Sequence, residues 1–159
     1  MASSIKRRIF GAVVIIAALG AVGAAAAVDT EGVIKERQAT MKQQGKAMKG
    51  VNDFLGGKSD QASAQAAATT LTQTTQKIPD LFPPGSGKPS PDGDFAPKAA
   101  IWTDWDKFLD VQKAARAKAD ALLAAVKTGD KAAIQTAFAD LGKNGCGACH
   151  TNFREKLKN

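Results

Sequence analysis

Cys146-Gly147-Ala148-Cys149-His150 lies nine residues before the C-terminus and is the most informative stretch of this chain. C-x-x-C-H is the attachment signature of a c-type haem. In that chemistry two thiols bond to the haem vinyl groups as thioethers, and the histidine becomes the proximal iron ligand. The spacing has a physical basis. Cysteines three positions apart on a helical turn face one way, and the adjacent histidine turns inward beneath the porphyrin. Both cysteines and the single histidine of the 159 residues fall inside this pentapeptide. Three other readings compete. A zinc site needs about four protein ligands, or three and a water, and no second cluster exists here. A thioredoxin-like pair follows a strand at the start of a helix, but no strand pattern lies upstream. A structural disulfide fits an exported protein but leaves His150 without a role.

Export is written at the other end of the chain. Lys6-Arg7-Arg8 forms a basic start, Ile9 to Val22 an apolar run, and Gly23 to Ala27 a small-residue exit. This is the pattern of a secretory signal peptide with A-x-A-like cleavage sites. The expected division is a signal peptide over 1–27 and one domain over 28–159. The competing reading is an uncleaved anchor, but the apolar run falls short of the roughly 20 residues that span a bilayer comfortably. Cleavage leaves no stable membrane anchor. The full chain carries 22 Lys+Arg against 15 Asp+Glu. Loss of Lys6, Arg7 and Arg8 lowers the formal charge from +7 to about +4. A mildly basic domain without a basic stripe interleaved with aromatics does not read as a nucleic-acid binder. It is compatible with an acidic redox partner.

The mature region is rich in alanine, lysine, leucine and glutamine, which favours helix. The spacing predicts a first helix from about Thr30 to Leu55, capped by Asp29 or Thr30 and ended by Gly56-Gly57. Its one-face series is Ile34, Arg37, Met41, Gly45, Met48, Val51 or Asn52, and Leu55. A second helix begins at Ser59 or Asp60 and ends before Pro79. All six prolines lie between Pro79 and Pro97, which reads as a crossover loop. A third helix is expected from Pro97 to Gly129, with Trp102, Trp105 and Phe108 as core or cofactor-wall packing. A fourth runs from Asp130 through the pentapeptide to Leu157. Four amphipathic helices in roughly 130 residues predict an all-α, antiparallel four-helix bundle. Its alanine-rich core buries little apolar surface, so the chain without haem is expected to be weakly folded.

Four features together resemble one family. They are the C-terminal C-x-x-C-H, Arg37-x-x-x-Met41 on the first helix, Pro79-Asp80-Leu81-Phe82-Pro83-Pro84-Gly85-Ser86, and Ile101-Trp102-x-x-Trp105. They are similar to those of the class II c-type cytochromes, the group of cytochrome c prime and its low-spin relatives. Most other small c-type cytochromes carry the haem motif near the N-terminus. The resemblance implies one covalent haem c near the C-terminus and haem attachment outside the bacterial cytoplasm, hence the periplasm. It also implies His150 as proximal iron ligand and Met41 at the distal position, with a core methionine packed on haem as the competing reading. Arg37 would stand near a propionate or the haem edge, and Arg154 beside the proximal histidine or a propionate, one helical turn on.

Two functions follow from that resemblance. One is a one-electron carrier with low-spin His/Met iron. The other is a high-spin protein that binds nitric oxide or carbon monoxide at an open distal site. An enzyme is disfavoured, because the single histidine is committed to iron and no distal acid/base remains. Family members are often homodimers through the first two helices. Lys42, Lys46, Lys49, Lys143, Lys156 and Lys158 form either a docking surface for a redox partner or an ordinary charged face.

Overall fold

The computed structural model describes residues 29–89 and 93–157. The expected signal peptide and Lys158 lie outside the described residues. Helix α1 spans Thr30–Leu55, with Asp29 accepting the Gly32 N–H at its start. Helix α2 spans Gln61–Gln76, and Asp60 accepts the Ser63 N–H there. The crossover contains a 3₁₀ turn, Ile78–Leu81, and a short strand β1, Phe95–Pro97. Then follow α3 (Ala100–Thr103), α4 (Trp105–Thr128) and α5 (Lys131–Asp140). A π-helical turn over Leu141–Gly147 leads into α6 (Ala148–Phe153), and β2 (Arg154–Lys156) closes the described chain.

The rods of the bundle are α1, α2, α4 and the continuous run of α5, π turn and α6. Helix α1 packs on α2, α2 on α4, and α4 on the last rod. Short capped turns join α1 to α2 and α4 to α5 and make each of these pairs antiparallel, while the long crossover links α2 to α4. Gly129 ends α4 at φ +76°, a left-handed conformation that a Cβ would strain. A Cβ there would also meet the Gln61 carboxamide at 3.2 Å, and that carboxamide caps α4 by donating to Val126 O.

Three expectations need correction. The third helix is not continuous from Pro97. Asp104, at φ −136° and ψ 55°, breaks it into α3 and α4. The break lets Trp102 turn to the crossover, where its Nε1–H donates to Phe82 O and Pro83 O, while Phe108 points into the core. The fourth helix does not reach Leu157. It ends at Phe153 because β2 pairs antiparallel with β1, Phe95 opposite Lys156 and Pro97 opposite Arg154. Two further bonds extend this ribbon, Lys98 N–H to Phe153 O and Leu157 N–H to Asp94 O. Finally, the crossover is not irregular throughout, since it carries one of those strands.

The core has two parts. The lower one, around the α1–α2 and α4–α5 turns, packs Val51, Phe54, Leu71, Leu122, Val126, Ile134 and Leu141 among alanines. The upper one packs Ile78, Leu81, Phe82, Ile101, Phe108 and Phe153. Phe108 contacts Phe82, Trp105 and Phe153 at ring-centroid distances of 5.2, 5.2 and 5.3 Å. Such tilted and edge-on pairs suit the aromatic quadrupole.

Candidate haem site

A cavity of about 510 Å³ opens among the upper halves of the rods. Its size falls in the roughly 300–1,000 Å³ range of pockets that hold cofactor-sized ligands. Helix α1 contributes Ile34, Arg37 and Met41, while α4 contributes Phe108, Gln112 and Ala115. The π turn and α6 contribute Gly145, Cys146, Cys149, His150 and Phe153. The residues expected to hold a haem therefore line one space, although Met41 and His150 are 109 positions apart in sequence.

The π turn sets the cysteines apart. Cys146 sits in it and packs on the lower core, whereas Cys149 sits on α6 and packs on the upper core. Glycine precedes Cys146 for a steric reason. A Cβ on Gly145 would meet Leu141 Cδ1 at 2.9 Å and Ala115 Cα at 3.5 Å, so the turn lies directly against α4. Both thiols are free and half-buried. Burial pushes the Cys146 thiol up. It pushes Cys149 to about 11, helped by neighbouring Cys146 and opposed by Arg154. Burial, with a smaller push from Arg154, holds the His150 imidazole below its ordinary value. A neutral imidazole keeps a nitrogen lone pair for a metal. An apolar cavity with two free thiols, a neutral imidazole and a thioether on its walls fits a covalently attached haem.

Arg37 and Arg154 both line the cavity, and Arg154 acts on the charge states of Cys149 and His150, but each makes contacts that the sequence did not suggest. Arg37 is a buried residue of the cavity wall and not a solvated surface charge. It is 8% exposed and lies 4.1 Å over the Phe82 ring. Its Nε and Nη2 donate to Leu81 O at 2.9 and 2.8 Å. Its Nη1 and Nη2 donate to Ser86 O, and Nη2 also reaches Ser86 Oγ at 2.7 Å. The guanidinium thus ties α1 to the crossover. Burial lowers its pKa to about 10, so it stays charged at neutral pH. Arg154 does not continue the helix of His150. It opens β2 at φ −122° and ψ 139°, and its guanidinium lies 4.2 Å over the Phe95 ring.

Sequence reasoning passed over several wall residues. Phe82, Lys88 and Phe95 all come from the crossover. Leu81-Phe82, an apolar pair within a Pro/Gly-rich loop, was the available signal of a buried anchor. Gln112 is buried and donates to Thr75 O, joining α4 to α2 beside the cavity. Of the two tryptophans, both pack on the upper core and neither lines the cavity.

An antiparallel four-helix bundle with a C-x-x-C-H motif at the wall of an apolar cavity defines a c-type haem protein. The chain matches the Cytochrome C′ family over residues 32–154 and belongs to it. It is a c-type cytochrome, an electron-transfer haem protein whose cofactor is covalent haem c. It is 36% identical over 134 residues to cytochrome c-556 of Agrobacterium fabrum, covering 83% of this chain and 87% of that one. It is 35% identical over 143 residues to cytochrome c′ of Rhodopseudomonas palustris, covering 89% and 94%. Among solved structures, a nitric oxide complex of a cytochrome c prime variant from Alcaligenes xylosoxidans superposes with a TM-score of 0.70. That pair is 27% identical, over 81% of this chain and 98% of the other.

Proposed function

We propose that this cytochrome is a periplasmic one-electron carrier with low-spin His/Met iron, its mature domain spanning 28–159 after loss of a signal peptide over 1–27. Cys146 and Cys149 would hold the haem as thioethers, His150 would be the proximal ligand and Met41 the distal one. The haem supplies the Fe(III)/Fe(II) couple. The polypeptide binds and orients it, excludes water with the Phe82, Phe108 and Phe153 walls, and offers iron two protein ligands. The observation that carries this reading is Met41: the half-buried thioether of α1 lines the same cavity as His150. A sixth ligand retained in both oxidation states lets iron change charge with little rearrangement. Thioether sulfur favours ferrous iron and raises the potential.

A second reading has its own support. The Alcaligenes xylosoxidans relative is named as a nitric oxide complex. In that reading Met41 packs on the haem and leaves the sixth position to a diatomic gas. Optical spectra of the ferric and ferrous protein at neutral pH separate the two. Low-spin bands in both states support the carrier, and a high-spin ferric spectrum moves gas binding ahead. Export is checked separately: the mass of protein recovered from the periplasm should correspond to a chain starting between about Ala26 and Asp29 plus one haem.

A further inference from the structure

Among the described residues one large hydrophobic side chain is exposed. Phe95, at 41%, stands on β1 at the mouth of the cavity. Its partner in register is Lys156, and the Arg154 guanidinium covers part of its ring at 4.2 Å. The pleat puts Phe95, Pro97, Arg154 and Lys156 on one face of the ribbon, and sends Asp94, Ala96 and Glu155 to the other. Phe95, Arg154 and Lys156 are exposed on the first face, while on the other Ala96 is buried and the carboxylates Asp94 and Glu155 are exposed at its ends. The charged residues lining the cavity are Arg37, Lys42, Lys88 and Arg154, with no carboxylate among them. Arg37 is turned inward to the crossover, whereas Lys42, Lys88, Arg154 and Lys156 are exposed. The ribbon is held in place by its ladder and by Lys98 Nζ, which donates to Thr151 O at 2.9 Å.

We propose that this face, centred on Phe95 and ringed by Lys42, Lys88, Arg154 and Lys156, is where a redox partner docks, and that the partner is an electron-transfer protein presenting carboxylates around its own redox centre. The proposal rests on the electron-carrier reading above. An apolar centre inside a cationic rim combines close approach with electrostatic steering, and rim charges act chiefly on encounter. The site lies beside Cys149 and His150, so the partner would sit at the edge of the attached haem. Of the six lysines picked out from the sequence, Lys42 and Lys156 belong to this face. Lys49 is paired with Asp53 at 2.6 Å.

Protein-film voltammetry of the holoprotein tests it, with gold electrodes carrying carboxylate-terminated or hydroxyl-terminated alkanethiol monolayers. The carboxylate layer should adsorb the wild-type protein in low salt, give a reversible wave, and release it as salt rises. Lys88→Glu with Lys156→Glu should lower the interfacial electron-transfer rate about tenfold or more. Phe95→Asp, which sets a carboxylate at the centre, should act in the same direction. Lys58→Glu with Lys127→Glu makes the same change of net charge at the α1–α2 and α4–α5 turns, and should leave the rate within about twofold. Thermal melts of the lysine variants should match the wild type, since those four side chains are exposed. A normal wave that the remote pair weakens as much as the ribbon pair overturns the docking face alone. An equal rate on the hydroxyl layer overturns the acidic character of the partner. Absence of a wave on either layer and with a diffusing mediator overturns the electron-carrier reading and this proposal together.

Discussion

Met41 and Arg37 lie four residues apart on α1 and line the same cavity, but they do different work. Met41 is a half-buried thioether whose sulfur the proposed function assigns to iron. Met41→Ala should convert a low-spin protein to one with high-spin iron that binds carbon monoxide readily and has a lower reduction potential. Optical spectra with and without the gas check this, and an unchanged low-spin spectrum would count against ligation. Arg37 acts on the protein instead. Its planar fork serves two carbonyls at once, which a single ammonium does not reproduce. Arg37→Lys should leave Leu81 O or Ser86 O without a partner, at about 1–3 kcal/mol for each unsatisfied buried group. Urea denaturation reads the loss. Limited proteolysis should cut the crossover between Phe82 and Lys98 faster, and an unchanged cleavage rate would remove the clamp role.

Between elements, polar ties add to the packing of alanine-rich helices. Helix α4 is tied to α5 by Lys118 Nζ, 2.6 Å from Asp140 Oδ2, and Asn144 donates to the other oxygen at 2.7 Å. The Lys118 hydrogen bond, and then that from Asn144, hold the Asp140 carboxyl below its ordinary 3.8. A carboxyl that is more acidic folded than unfolded contributes stability above the unfolded value. That contribution is lost as pH falls through the lower folded value. The melting temperature should therefore drop between about pH 4 and pH 2, and Asp140→Asn should flatten that part of the profile. Calorimetry across this range is the check, and parallel profiles for the two proteins would dismiss the contact. The π turn also depends on packing between rods. Gly145 lets the last rod lie against Ala115 of α4, Gly142 lets it face Met48 of α1, and Cys146 and Cys149 serve different halves of the core.

For the whole molecule, the cavity of about 510 Å³ is walled largely by the aromatic upper core and reaches the alanine-rich lower core at Met48 and Cys146. A haem bonded to Cys146 and Cys149 would join those halves and supply apolar surface that the side chains lack. Cys146→Ser with Cys149→Ser, freed of haem by acid-acetone, should keep helical far-UV circular dichroism. It should lose the cooperative thermal transition and bind a hydrophobic dye. A haem-free variant that melts as cooperatively as the wild type would show that the polypeptide alone completes the fold.

Much of this was legible in one dimension because it depends on local chemistry. Asp29 and Asp60 marked helix starts, Gly56 and Gly129 marked ends, and apolar spacing marked the rods. Cys146, Cys149 and His150 stood out because covalent haem attachment demands those residue types within five positions. Met41 was reachable through its family resemblance and its place on a helical face. The remainder was decided by contacts between distant segments. The pairing of β1 with β2 joins residues about sixty positions apart, and only that pairing turns Arg154 out of the helix and onto Phe95. Arg37 could be matched to a family pattern, but its partners lie 44 and 49 residues away on a proline-rich loop with no periodicity to read. The break at Asp104 likewise goes with a long-range contact, Trp102 bonding the carbonyls of Phe82 and Pro83. Caps and periodic faces are short-range free energies that single residues carry. The walls of the cavity are set by which loop carbonyls and aromatic rings meet, and folding alone brings those together.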